Sequence, residues 1–174
     1  MPRQNHMKKI ILSLIIVSFF ALPILAEKIP VEGWYKSLGG ERGDSWLDSG
    51  MRRHFIDFET TADVTLYGEG FGLKAKVQAS WALSMLDKVQ NGSIVSRHIW
   101  TSENNSKSKF VGHSKCDLTS GSATCVMWFK GFGEYEGKIM ELTFNEKDAA
   151  ETEDDDNPNL YMLEGIVMDE PGSE

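Results

Sequence analysis

Cysteine is nearly missing from this chain: its 174 residues contain two, Cys116 and Cys125. That excludes a disulfide-dense miniature scaffold and a four-thiolate metal site. The chain also lacks a G-x-S-x-G elbow, a Walker A loop and a dinucleotide glycine fingerprint, so no catalytic residue is singled out for nucleophilic or nucleotide chemistry. His54, His98 and His113 form no H-x-H or H-x-x-x-H pair, and neither a metal nor another cofactor is expected. Basic charge is in deficit, with 18 Lys and Arg against 26 Asp and Glu. Nucleic acid and anionic membrane need basic clusters for counterion release, so neither is an expected partner.

What is there begins with an export leader. Residues 1–9 carry Arg3, Lys8 and Lys9 and no acid, and an apolar run over 10–22 follows, broken only by Ser13 and Ser18. Pro23 and Ile24-Leu25-Ala26 complete the three-part pattern of a cleavable signal peptide over 1–26, with Met7 as an alternative start. The run is about 13 residues, short of the roughly 20 that span a bilayer as a helix, so no transmembrane span is expected after cleavage. The expected address is the periplasm or the exterior. Cleavage removes three basic residues and leaves 15 against 26, a net charge of −11 on a chain of single-domain length. In an oxidising compartment Cys116 and Cys125 should form one disulfide across the turn-rich stretch 117–124.

The rest reads as all-β. Residues 27–53 are punctuated by Gly33, Gly39, Gly40, Gly43 and Gly50, which predicts an irregular lead-in with a short helical turn around 45–51. From 54 to 168 an antiparallel domain is expected. Ile56, Phe58, Thr60, Ala62, Val64 and Leu66 alternate with polar neighbours, the mark of a half-buried strand. Phe71, Leu73, Ala75, Val77, Ala79, Trp81, Leu83 and Met85 repeat the pattern, although Val77, Trp81, Met85 and Val89 also fit a helix. Strands are expected over 94–100, 110–117, 123–130, 132–136, 138–144 and 160–168. The acid-rich stretch 145–159 lacks the spacing of an EF-hand and reads as a solvated loop, and 169–174 as a frayed tail. Short turns between many strands predict an antiparallel barrel, with a sandwich as the alternative.

Trp81, Trp100, Trp128 and Tyr135 are the candidate ligand-binding residues, because inward aromatics in a small barrel either fill it or line a pocket. Phe129-Lys130-Gly131-Phe132-Gly133-Glu134-Tyr135-Glu136-Gly137-Lys138 resembles a glycine- and aromatic-rich stretch found late in allene-oxide-cyclase-like and other calycin-like small barrels. The resemblance spans about ten residues; it implies a barrel with a central cavity and transfers no catalytic residue. Three readings follow. The first is an exported barrel holding a small apolar or amphipathic ligand; the second is an envelope interaction or assembly factor; the third is an isomerase or cyclase acting at the barrel mouth.

Overall fold

The computed structural model describes residues 27–86, 88–145 and 160–171. Residues 1–26, expected to be a leader, and the acidic stretch from 146 to 159 lie outside the described residues. Among the described residues, nine strands form one antiparallel sheet: β1 Lys28–Glu41, β2 Ser45–Leu47, β3 Arg52–Gly68, β4 Phe71–Leu86, β5 Asn91–Ser102, β6 Lys109–Thr119, β7 Ser122–Phe132, β8 Lys138–Asn145 and β9 Leu160–Asp169. From β3 to β9 each strand pairs with its successor, and β1 pairs with both β9 and β3. The sheet therefore closes as an eight-stranded barrel, with β2 as an extra strand on β3. Closure pairs the backbone edges that an open sheet would leave available to other chains.

Side-chain alternation decides inside from outside. In β4, Leu73, Ala75, Val77 and Ala79 are buried while Lys74, Lys76, Gln78 and Ser80 are exposed. The same rhythm buries Val64 and Leu66 of β3, Met127 and Phe129 of β7, and Leu163 and Val167 of β9. Each Val or Leu so buried stabilises by about 1.5–3 kcal/mol relative to exposure. The choice between strand and helix over 71–86 is settled as strand.

The lead-in expected over 27–53 is corrected. Residues 28–41 are the strand that closes the barrel; Gly33 and Gly40 fit its close approach to β3, and Gly39 takes a positive φ at a shift in register. A Cβ on Gly33 would strike the Thr65 carbonyl oxygen. The helical turn expected around 45–51 is instead β2 followed by a turn built by Asp48. Asp48 Oδ1 accepts hydrogen bonds from the Gly50 and Arg52 amides at 2.8 and 2.9 Å. Asp and Asn favour such turns because the side chain stands in for a backbone acceptor. The strand expected over 132–136 is also corrected: Gly133–Tyr135 is a single 3-10 turn. Nor is the tail frayed at its start, since Asp169 pairs with Lys138 and the Glu170 amide donates to the Gly137 carbonyl at 2.7 Å.

The two ends of the barrel differ. At the end where β4 begins, Phe71, Phe110 and Tyr135 form an aromatic plug, with the Phe110 and Tyr135 rings stacked at 4.7 Å. At the other end the β3–β4 and β4–β5 pairings run past the end of β1.

Candidate functional site

The open end is shaped by two matched irregularities. In β3, Phe55 lies opposite Leu83 and Phe58 opposite Trp81, so Ile56 and Asp57 together face the single residue Ala82. This β-bulge shifts the alternation by one and turns both Phe55 and Phe58 toward the interior. Ile56, expected inward from the sequence pattern, is therefore exposed. Asp57 carries the bulge at φ 55°, a left-handed conformation that Asp accepts more readily than most residues. Beside the bulge the chain breaks between β1 and β2 at residues 42–44. The Ile56 amide donates to the Asp44 carbonyl at 3.0 Å. Gly43 is pressed so closely against the bulge that a Cβ there would strike the Ile56 carbonyl oxygen.

Together these features leave a cup of about 310 Å³, lined by Phe55, Phe58, Trp81, Leu83 and Ile94 with Arg42 at its rim. That volume is at the lower end of the range for small-molecule sites, and the lining has their usual mixture of aromatic walls and one polar group. Trp81 is fixed by its Nε1–H, which donates to Thr60 Oγ1 at 2.6 Å. Thr60 also bonds the Tyr35 hydroxyl, whose pKa is pushed up to about 12, chiefly by burial.

Next to the cup lies a closed polar cluster. His98 meets Trp81 edge-on with ring centroids 5.2 Å apart, and its Nε2 lies 2.6 Å from Ser96 Oγ. Ser114 Oγ is 2.5 Å from Ser96 Oγ. All three residues are buried. Burial pushes the His98 pKa down to about 4, with a smaller contribution from the His113 charge. The neutral imidazole is also what the hydrogen bonds suit. Nε2 faces two hydroxyls, whereas Nδ1 has no partner among the described residues. An imidazolium would need acceptors on both sides.

Of the four aromatics singled out by sequence, only Trp81 lines the cup. Trp100 is inward but fully buried in the packed core, with its ring centroid 4.4 Å from that of Phe129. Tyr135 belongs to the plug at the far end. Trp128, expected inward, stands on the outer wall at 39% exposure, beside His113 with ring centroids 5.3 Å apart. The stretch from Cys125 to Phe129 is apolar throughout, so it carries no alternation by which to orient the ring. Lys130, two residues on, shares the face of Trp128 and is the sequence signal that points outward. Sequence reasoning also missed Phe55, Phe58, Leu83, Ile94 and Arg42 as lining residues: Phe55 because a bulge is not visible in a binary pattern, and the others because alternation gives an inward face and not which inward residues meet. Ser96 and His98 were detectable, since they share parity with Ile94 and Trp100.

Cys116 and Cys125 form the expected disulfide. They face each other across the β6–β7 hairpin and are buried at 0% and 1% exposure. Compared with known proteins, the chain matches no protein-family model and no curated protein sequence.

Proposed function

We propose that this is an exported binding protein that holds one small apolar or amphipathic molecule in the cup at the open end of the barrel. The observation that carries the reading is the cup itself: about 310 Å³, walled by Phe55, Phe58, Trp81, Leu83 and Ile94. Sites of that size and lining bury an apolar ligand body and orient it with few polar contacts. Export is supported by the leader pattern over 1–26 and by a buried disulfide, which is compatible with an oxidising compartment. Among the described residues no helix is long and apolar enough to cross a membrane. The barrel wall bears Glu59, Lys74, Lys76, Arg97, Lys115 and Lys130 on its exposed face around an apolar interior. That is the inverse of a lipid-facing barrel.

Native mass spectrometry of protein purified from its own host tests the proposal. We expect a population heavier by one small molecule, reduced to the bare mass in Leu83→Trp, whose larger side chain fills the cup. A bare mass in the wild-type protein, or an adduct that persists in Leu83→Trp, would count against it.

The interaction-factor reading has one observation of its own. Ile56, Val95 and Trp128 line a shallow groove on the outer wall with Arg97, His113 and Lys115. Exposed apolar side chains grouped in this way can mark a protein contact. The two readings separate cleanly, because Trp128→Ala should leave the ligand adduct intact if the cup is the site. The enzymatic reading draws no support from the cup lining, whose one ionisable group is Arg42, a side chain that stays charged and does not exchange a proton near neutral pH.

A further inference from the structure

We infer that the cup selects an amphipathic anion, with a single carboxylate head group paired to Arg42 and an apolar chain of about ten carbons laid over Phe55, Phe58, Trp81, Leu83 and Ile94. This rests on the reading of the cup as a ligand site and adds which chemistry it takes.

Three observations carry it. The first is that the lining is apolar except for Arg42, so a bound molecule has one place to put a charge, and its sign must be negative. The second is that Arg42 has no hydrogen bond or ion pair to any described residue. Other surface cations such as Lys74 and Arg97 share this, but of them only Arg42 lines the cup. A guanidinium at the mouth is thus available for bidentate pairing with a carboxylate, the geometry its fork fits. The third is that the backbone carrying Arg42 is held in place. Gly43 is seated on the β3 bulge and the Ile56 amide is bonded to the Asp44 carbonyl, so the cation is placed by the same irregularity that turns Phe55 and Phe58 inward. Glu41 and Asp44 flank Arg42 in sequence, so the mouth as a whole is not a basic patch. Selection must come from direct pairing with Arg42 rather than from a long-range field.

Size sets the chain. At the roughly 30 Å³ that a water-sized group occupies in a liquid, the cup holds about ten non-hydrogen atoms. Each buried methylene should raise affinity by up to about fourfold, and the gain should stop when the cup is full.

The test is a calorimetric titration of the full mature chain at pH 7 with decanoate, 1-decanol and decyltrimethylammonium, repeated on Arg42→Gln. We expect decanoate to bind wild type about tenfold more tightly than decanol, and the cationic amphiphile to bind more weakly than either. Arg42→Gln should lose about tenfold for decanoate and leave decanol unchanged. If decanol matches decanoate, or Arg42→Gln binds decanoate as wild type does, the anion inference is overturned while the cup survives. If none of the three binds wild type, the cup itself is not a site for such ligands.

Discussion

His98 is enclosed by three aromatic rings, with centroids of Trp81, Phe129 and Trp100 at 5.2, 5.9 and 6.4 Å from its own. Its charged form is expelled by burial, and this has a consequence for stability. In the unfolded chain the imidazole takes up a proton near pH 6.5; in the folded protein it does so only near pH 4. Between those values the unfolded state binds more protons, so stability rises with pH. The contribution is fully present above about pH 6.5 and declines as pH falls toward 4. Its whole extent is on the order of 3 kcal/mol. Urea unfolding of wild type and His98→Gln across pH 4 to 7 should show a wild-type slope that the variant lacks. Parallel curves would contradict the assignment. His98 was visible in the sequence as a polar residue at an inward position of β5. Its hydroxyl partner Ser114 comes from the neighbouring strand, and pairing between strands cannot be read from either strand alone.

At the scale of the element, the β6–β7 hairpin and the β3 bulge account for most of what sequence reading achieved and missed. The disulfide was legible because two cysteines flank a turn-rich stretch in a chain whose first residues have the pattern expected of an export leader. It closes a short loop, which on the chain-entropy account stabilises by about 3 kcal/mol. The Cys116→Ala/Cys125→Ala pair should therefore lose roughly that amount in guanidinium unfolding, and adding reductant should lower wild type but leave the pair unchanged. The pair could also have oriented Trp128. On β6, Lys115 and Asp117 flank Cys116 on the opposite face, so the half-cystine points inward. Its partner Cys125 must point inward too, and then Met127 and Phe129 follow while Trp128 faces out. The bulge was not legible: Ile56 and Phe58 both fit an apolar face, and the extra residue between Phe55 and Phe58 emerges only from register against β4. The bulge hid the inward turn of Phe55, whereas Phe58, Trp81 and Leu83 already fell on inward faces; what stayed hidden was that they meet in one cup.

For the molecule as a whole, the barrel followed from sustained period-two alternation over β3 and β4 and from short turns between later strands. The closing strand β1 did not, because Pro30, Gly33, Gly39 and Gly40 have the composition of a loop. Pro30 nonetheless sits near the start of β1 opposite Ile166, and Gly33 where a Cβ would strike the β3 backbone. Closure divides the interior into a filled centre, a plugged end and the cup, and this asymmetry is the basis of the functional reading. The most direct measurement of it is a calorimetric titration with 1-decanol, whose size matches the cup, on wild type, Leu83→Trp and Trp128→Ala, with circular dichroism confirming that each variant keeps its strands. The cup predicts one saturable site in wild type and in Trp128→Ala, and none in Leu83→Trp. Binding that persists in Leu83→Trp, or that vanishes in Trp128→Ala, would contradict it.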